Sequence, residues 1–206
     1  MEVHNVAVLG AGTMGRGIAH VAALAGFDTV LYDIDDEILA RAEAAIHRNL
    51  DKGVSLGKLD AERARAARER LALDVDLAAA VEDADLVIEA APESMKLKIE
   101  LFDRVVEHAP AHARLASNTS SLSITEMAAA TGRPERFCGL HFFNPVHLMK
   151  LLEIVRGLET SEETIAAARA VGEAMGKECV VVADVPGFAT SRINALIGNE
   201  AFRMLE

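Results

Sequence analysis

At 206 residues the chain has room for one α/β domain with a sizeable core and part of another. It is 51% hydrophobic and 26% charged, as in ordinary soluble proteins, and its formal net charge of −11 argues against nucleic acid or an anionic membrane as the main partner. No stretch is long enough to span a bilayer, the apolar run after Met1-Glu2 is too short for a signal peptide, and Cys138 and Cys179 are too few and too far apart for a metal motif or disulfide framework; a reducing, cytoplasmic setting and no metal are expected.

In chain order, residues 3–9 (Val-His-Asn-Val-Ala-Val-Leu) predict a buried strand, residues 10–17 a glycine-rich turn, and residues 18–25 a helix ended by Gly26. Residues 29–32 predict a second strand. Residues 36–71 predict a long helical stretch, broken near 51–59 by two glycines and folded back as a hairpin. A strand follows at 84–90, then a helix at 97–108 and a short strand at 114–116. Ser123-Ile124-Thr125-Glu126 reads as a capping box opening another helix. Residues 137–143 and 151–155 predict two more strands, Thr160-Ser161-Glu162-Glu163 caps a helix closed by Gly176, and residues 179–183 predict a last strand. Strands alternating with helices imply a Rossmann-like, mostly parallel sheet with both faces covered. Asp184-Val185-Pro186-Gly187 reads as a hinge or linker. Beyond it Ile193, Leu196, Ile197, Ala201 and Met204 share one helical face that wants a partner.

Gly10-Ala11-Gly12-Thr13-Met14-Gly15 matches G-x-G-x-x-G between a predicted strand and a predicted helix. Gly10 permits the tight turn, Gly12 lets the backbone approach a pyrophosphate, and Gly15 allows close packing of helix on strand. The pyrophosphate would rest on the free N–H groups of the helix N-terminus. Alone the pattern is weak; here an acid, Asp33, ends the second strand 18 residues beyond Gly15. Its carboxylate suits ribose hydroxyls and repels a 2′-phosphate, and no arginine follows at once, so NAD is expected rather than NADP.

Transfer of a hydride from an alcohol needs a group to take the hydroxyl proton, most often histidine. Of seven histidines, His141 stands out, because its strand runs into Asn144-Pro145 near the expected carboxyl end of the sheet, where open α/β folds bind ligands. His147 is the nearby competitor, and a lone histidine in an apolar strand is more often a satisfied core residue. Glu153, inside Leu151-Leu152-Glu153-Ile154-Val155, either faces solvent by period-2 alternation or is buried and fixes the tautomer of a histidine. Ser117-Asn118-Thr119-Ser120-Ser121 supplies hydroxyls that turn chemistry or a substrate oxygen would use.

Five elements occur together in order: residues 10–15; Val87-Ile88-Glu89-Ala90-Ala91-Pro92-Glu93 with Lys98; Ser117-Asn118-Thr119-Ser120-Ser121; His141-Phe142-Phe143-Asn144-Pro145; and Pro186-Gly187-Phe188. Over essentially its whole length the chain resembles the NAD-dependent L-3-hydroxyacyl-CoA dehydrogenases of the 3-hydroxybutyryl-CoA type. The resemblance implies interconversion of a 3-hydroxyacyl-CoA and a 3-ketoacyl-CoA, with His141 as general base and Glu153 as its orienting partner. It implies that Ser120 binds the substrate hydroxyl, that Asn144 fixes substrate and nicotinamide, and that Glu93 and Lys98 lie near the nicotinamide half of the cofactor. It further implies an NAD-binding domain over residues 1–185, then a linker and the incomplete start of an all-α dimerisation domain over residues 186–206, and a homodimer weakened by the short C-terminus. In this family CoA lies against the helical hairpin, and residues 48–70 carry a local excess of three positive charges, which a solvated helical face explains equally well. Ser191 stands where the family commonly has an asparagine that contacts substrate. Alternatives are a dehydrogenase of a free 3-hydroxy acid on the same scaffold and a non-catalytic NAD-binding fragment.

Overall fold

The computed structural model describes residues 2–205. β1 (Asn5–Leu9) is followed by α1 (Thr13–Ala25), β2 (Asp28–Tyr32), α2 (Asp36–Ser55), α3 (Ala61–Glu69), β3 (Leu71–Asp74) and α4 (Leu77–Val81). Then come β4 (Leu86–Glu89), α5 (Met95–His108), β5 (Arg114–Ser117), α6 (Ile124–Ala130), a 3-10 turn at Pro134–Arg136, and β6 (Phe137–Phe142). β7 (Leu151–Arg156), α7 (Glu162–Ala174), β8 (Glu178–Ala183) and α8 (Thr190–Arg203) complete the order.

The strands form one sheet in the order β3-β2-β1-β4-β5-β6-β7-β8. The first six are parallel; β7 runs antiparallel to β6, and β8 parallel to β7. Alternation along each strand divides the core into two layers. Val6 and Val8 pack with Ile18, Ile46, Leu50 and Val171 under α1, α2 and α7. Ala7 and Leu9 pack with Leu77, Phe102, Val105 and Met127 under α4, α5 and α6. Helix starts are set by Asp35, Asp60, Asp76, Ser94 and Ser161, each accepting a backbone N–H of the first turn.

Four details depart from the sequence reading. The first strand begins at Asn5, not Val3. β3 and α4 lie where the sequence predicts no element beyond the helical stretch ending at residue 71: Leu71-Ala72-Leu73-Asp74 carries no β-branched residue, yet it pairs with β2 as the sheet edge. The capping box at α6 is half made. Ser123 Oγ accepts the Glu126 amide, but the Glu126 side chain makes no bond back to the Ser123 amide; Asp184 accepts the Ser123 hydroxyl and the amides of Ile124 and Thr125 instead. The expected hinge is therefore tied down at its first residue, and Phe188, at φ +48°, is buried just beyond it.

Candidate active site

At the carboxyl end of β1, Gly10 holds φ +100°, and a Cβ there would stand 2.8 Å from the Ala90 carbonyl oxygen. A Cβ on Gly15 would meet the Gly10 carbonyl oxygen at 1.7 Å, so α1 sits on the loop only because residue 15 has no side chain. Around Gly12 nothing lies within 4 Å of an added Cβ, and α1 has no side-chain N-cap. Ala11, Thr13 and Met14 complete this loop, whose exposed helix start has the donors a pyrophosphate needs. Asp33, one residue past β2, accepts the Ala11 amide through Oδ2 at 2.8 Å. One carboxylate oxygen braces the glycine loop, and the other accepts no hydrogen bond among the described residues. These residues fit a bound NAD.

Beside the loop, at the ends of β4 and β5, lies a buried polar network that sequence reasoning missed in part. Glu89 and Lys98 are fully buried, with Lys98 Nζ 2.5 Å from Glu89 Oε1 and 3.2 Å from the Ala91 carbonyl. Glu89 also accepts from Ser117 Oγ and from the Ala91 amide. Lys98 reaches Glu93 Oε2 at 3.4 Å. Glu93 Oε1 accepts the Thr119 hydroxyl at 2.5 Å and the Ser120 amide at 3.1 Å. Burial pushes the Glu93 carboxyl up, but the Thr119 hydroxyl, the Lys98 charge and the Ser120 amide outweigh it and hold it below the usual carboxylate range. Lys98 thus stands behind Glu93, inside the protein, while Glu93 and Ser120 face outward. Glu89 had no distinguishing signal beyond being an acid inside an apolar strand.

His141 and Glu153 are direct cross-strand partners in the antiparallel β6–β7 ladder, so their side chains share a face. Both are buried, and His141 Nδ1 lies 2.7 Å from Glu153 Oε2. An ionised carboxylate only accepts, so Nδ1 carries the proton and Nε2 presents its lone pair. The ring is flanked by Phe143, centroids 4.5 Å apart, and by Phe188 at 5.7 Å. Burial would raise the Glu153 carboxyl, yet the His141 hydrogen bond and the amide and hydroxyl of Thr190 together hold it below its ordinary value. Asn118 Oδ1 accepts the Phe142 amide at 3.0 Å, which ties the Ser120 loop to the strand bearing His141. Asn144 lies exposed two residues after β6, and Ser191 falls in the first turn of α8. His147, the competitor, is instead beside His20, ring centroids 5.5 Å apart, without a carboxylate partner among the described residues. A cavity of about 310 Å³ lies at the opposite, amino-terminal end of the sheet among Asn5, Asp28 and Asp83, away from this chemistry.

The mostly parallel sheet, the glycine loop and the acid after β2 define an NAD-binding domain of the Rossmann type. Residues 5–185 match the family model described as 3-hydroxyacyl-CoA dehydrogenase, NAD binding domain. A probable 3-hydroxybutyryl-CoA dehydrogenase of Bacillus subtilis is 44% identical over 201 residues, covering 98% of this chain and 70% of that protein. A 3-hydroxyadipyl-CoA dehydrogenase of Escherichia coli is 45% identical over all of this chain but only 43% of its own length. The crystal structure of a 3-hydroxybutyryl-CoA dehydrogenase from Escherichia coli superposes with TM-score 0.96 at 44% identity, over 100% of this chain and 43% of that one. The (S)-3-hydroxybutyryl-CoA dehydrogenase of Ralstonia eutropha gives TM-score 0.96 at 39% identity, over 99% of this chain and 72% of that one. The chain belongs to the 3-hydroxyacyl-CoA dehydrogenase family.

Proposed function

We propose that the protein interconverts an L-3-hydroxyacyl-CoA and its 3-ketoacyl-CoA, with His141 as the general base. The observation that carries this reading is the His141–Glu153 pair, which leaves a single basic nitrogen, Nε2, at the carboxyl end of the sheet. Bound NAD supplies the hydride acceptor. His141 Nε2 takes the proton of the substrate hydroxyl, and the buried Glu153 carboxylate stabilises the imidazolium formed. Ser120, whose hydroxyl is only weakly engaged by Glu93 at 3.5 Å, is free to bind the substrate oxygen. Asn144 and Ser191 flank the substrate, and Glu93 borders the nicotinamide half.

The hairpin of α2 and α3 is read as the wall for the CoA moiety. Two of its cations are already engaged, Arg68 with Asp51 and Arg65 with Glu62 and Glu69. Lys52 makes no ion pair among the described residues and is close enough to His147 to help depress its imidazolium, after burial and Lys177. Arg48, Lys58, Arg63 and Arg70 likewise make no ion pair among the described residues, so the hairpin offers several cations to a phosphate. Residues 186–206 are read as the start of a second, helical unit that pairs two copies, in a cytoplasmic enzyme. No helix among the described residues is long and apolar enough to cross a membrane.

The test is NADH oxidation followed at 340 nm with acetoacetyl-CoA, beside free acetoacetate. Turnover of the thioester alone supports the reading. Turnover of the free acid favours a dehydrogenase of free hydroxy acids, and NADH binding without turnover of either marks a non-catalytic NAD-binding unit.

A further inference from the structure

Glu153 has more partners than the orientation of a histidine requires. Oε2 receives His141 Nδ1–H at 2.7 Å and the Thr190 hydroxyl at 2.9 Å. Oε1 receives the amides of Thr190 at 2.9 Å and Ala189 at 3.2 Å. Those amides open α8, whose N-cap residue Ala189 has no side-chain acceptor of its own. A carboxylate from β7 therefore satisfies donors that every helix start leaves unpaired. The amides would be present whatever residue stood at 190. The hydroxyl would not, and it lands on the same oxygen that holds the imidazole.

We propose that Thr190 is a positioning residue for the His141–Glu153 pair: its hydroxyl fixes the carboxylate oxygen that His141 uses, and so couples the seating of α8 to the orientation of the imidazole. This rests on the acid–base reading of that pair. The groups facing Glu153 are His141 from β6 and Ala189 and Thr190 from the start of α8; the rings of Phe143 and Phe188 close the other sides of the imidazole. Among the described residues no lysine, arginine or second carboxylate pairs with either member. Each of the four donors weighs on how readily the carboxyl takes a proton. Removing the hydroxyl takes away one of the two donors on Oε2 and loosens the hold on the oxygen that His141 uses, while the two amides keep Oε1.

Thr190→Val keeps the shape and deletes the donor, whereas Thr190→Ser keeps the donor. In the full chain, carboxyl-labelled glutamate followed by carbon NMR reports the titration of Glu153, assigned by the resonance lost in Glu153→Gln. Thr190→Val is expected to move that titration to higher pH by about half a unit to one unit, the equivalent of one net hydrogen bond. Thr190→Ser is expected to leave it in place. The acid limb of NADH-dependent reduction should move by the same amount, with kcat lowered several-fold and KM little changed. Coupling is reciprocal, so Glu153→Ala should speed amide exchange at Ala189 and Thr190. If Thr190→Val does not fold, Thr190→Ala deletes the same donor. A Glu153 titration unmoved in the donor-less variant overturns the role of Thr190 and leaves the acid–base reading standing; full activity in His141→Gln overturns that reading and leaves the titration result intact.

Discussion

Glu153 lies directly opposite His141 across the β6–β7 ladder, and its Oε2 stands 2.7 Å from the imidazole Nδ1. Side chains alternate along a strand, so a one-residue slip in this register would carry Glu153 to the other face of the sheet. The register is held by the segment between the strands. Lys177, buried between α7 and β8, donates to the carbonyls of Val146 and Met149 in that segment, the latter at 2.9 Å. The juxtaposition of the two residues is thus set by the strand register and by the anchored segment that joins the strands.

Cofactor choice follows from Asp33. NADH is expected to bind at least tenfold tighter than NADPH, a difference of about 1.4 kcal/mol. Asp33→Ala should narrow the gap and also weaken NADH, because the Ala11 amide loses its acceptor. Fluorescence titration of both nucleotides checks this, and equal wild-type affinities would contradict it.

The dinucleotide loop was legible in the sequence because each glycine answers a backbone requirement at fixed spacing. Asp33 was legible for the same reason. Glu153 was left open between solvent and core, since alternation within one strand does not say which strand lies beside it; that needs the antiparallel register. Thr190 gave no signal at all, because it meets Glu153 across 37 residues of chain and only once α8 has entered at its observed angle. The burial of Lys98 was equally hidden, as a lysine on an amphipathic helix ordinarily reaches solvent. The linker read as a hinge from Pro186-Gly187, yet Asp184 and Glu153 hold it at both ends.

Lys98→Met would leave Glu89 buried without its cation. Breaking such a pair from one side typically costs about 3–5 kcal/mol, so a marked fall in Tm is expected. Lys98→Met with Glu89→Gln should recover part of the loss. A single variant as stable as the parent in thermal melts would contradict this.

Acid stability carries the signature of His20. Burial, with help from the charges of His147 and Lys177, pushes its pKa down from 6.5 to about 4. The unfolded chain therefore takes a proton near pH 6.5 that the folded protein refuses until about pH 4. Stability should fall as pH drops through that window, by up to about 3 kcal/mol, and this contribution levels off below it. His20→Gln should flatten the slope. Denaturant titrations between pH 7 and pH 4 measure it, and an unchanged slope in the variant would assign the effect to other groups.

The apolar stripe of α8 is not laid on its own domain. Ile193, Leu196, Ile197, Ala201 and Met204 are all exposed, as is Phe202. Fully burying each large side chain contributes roughly 1.5–3 kcal/mol, and in the proposed homodimer this is the face a second copy would cover. Sedimentation over a wide concentration range should show reversible association that Leu196→Glu abolishes; a monomer at every concentration would contradict it.

The base at Nε2 is the centre of the account, and rapid mixing of His141→Gln with NADH and acetoacetyl-CoA tests it most directly. The variant is expected to bind NADH nearly as well as the parent while its rate of NADH oxidation falls by roughly 10² or more. Adding Glu153→Gln should cost little further, because the two residues act as one unit. Retention of most of the parental rate by His141→Gln would contradict the assignment.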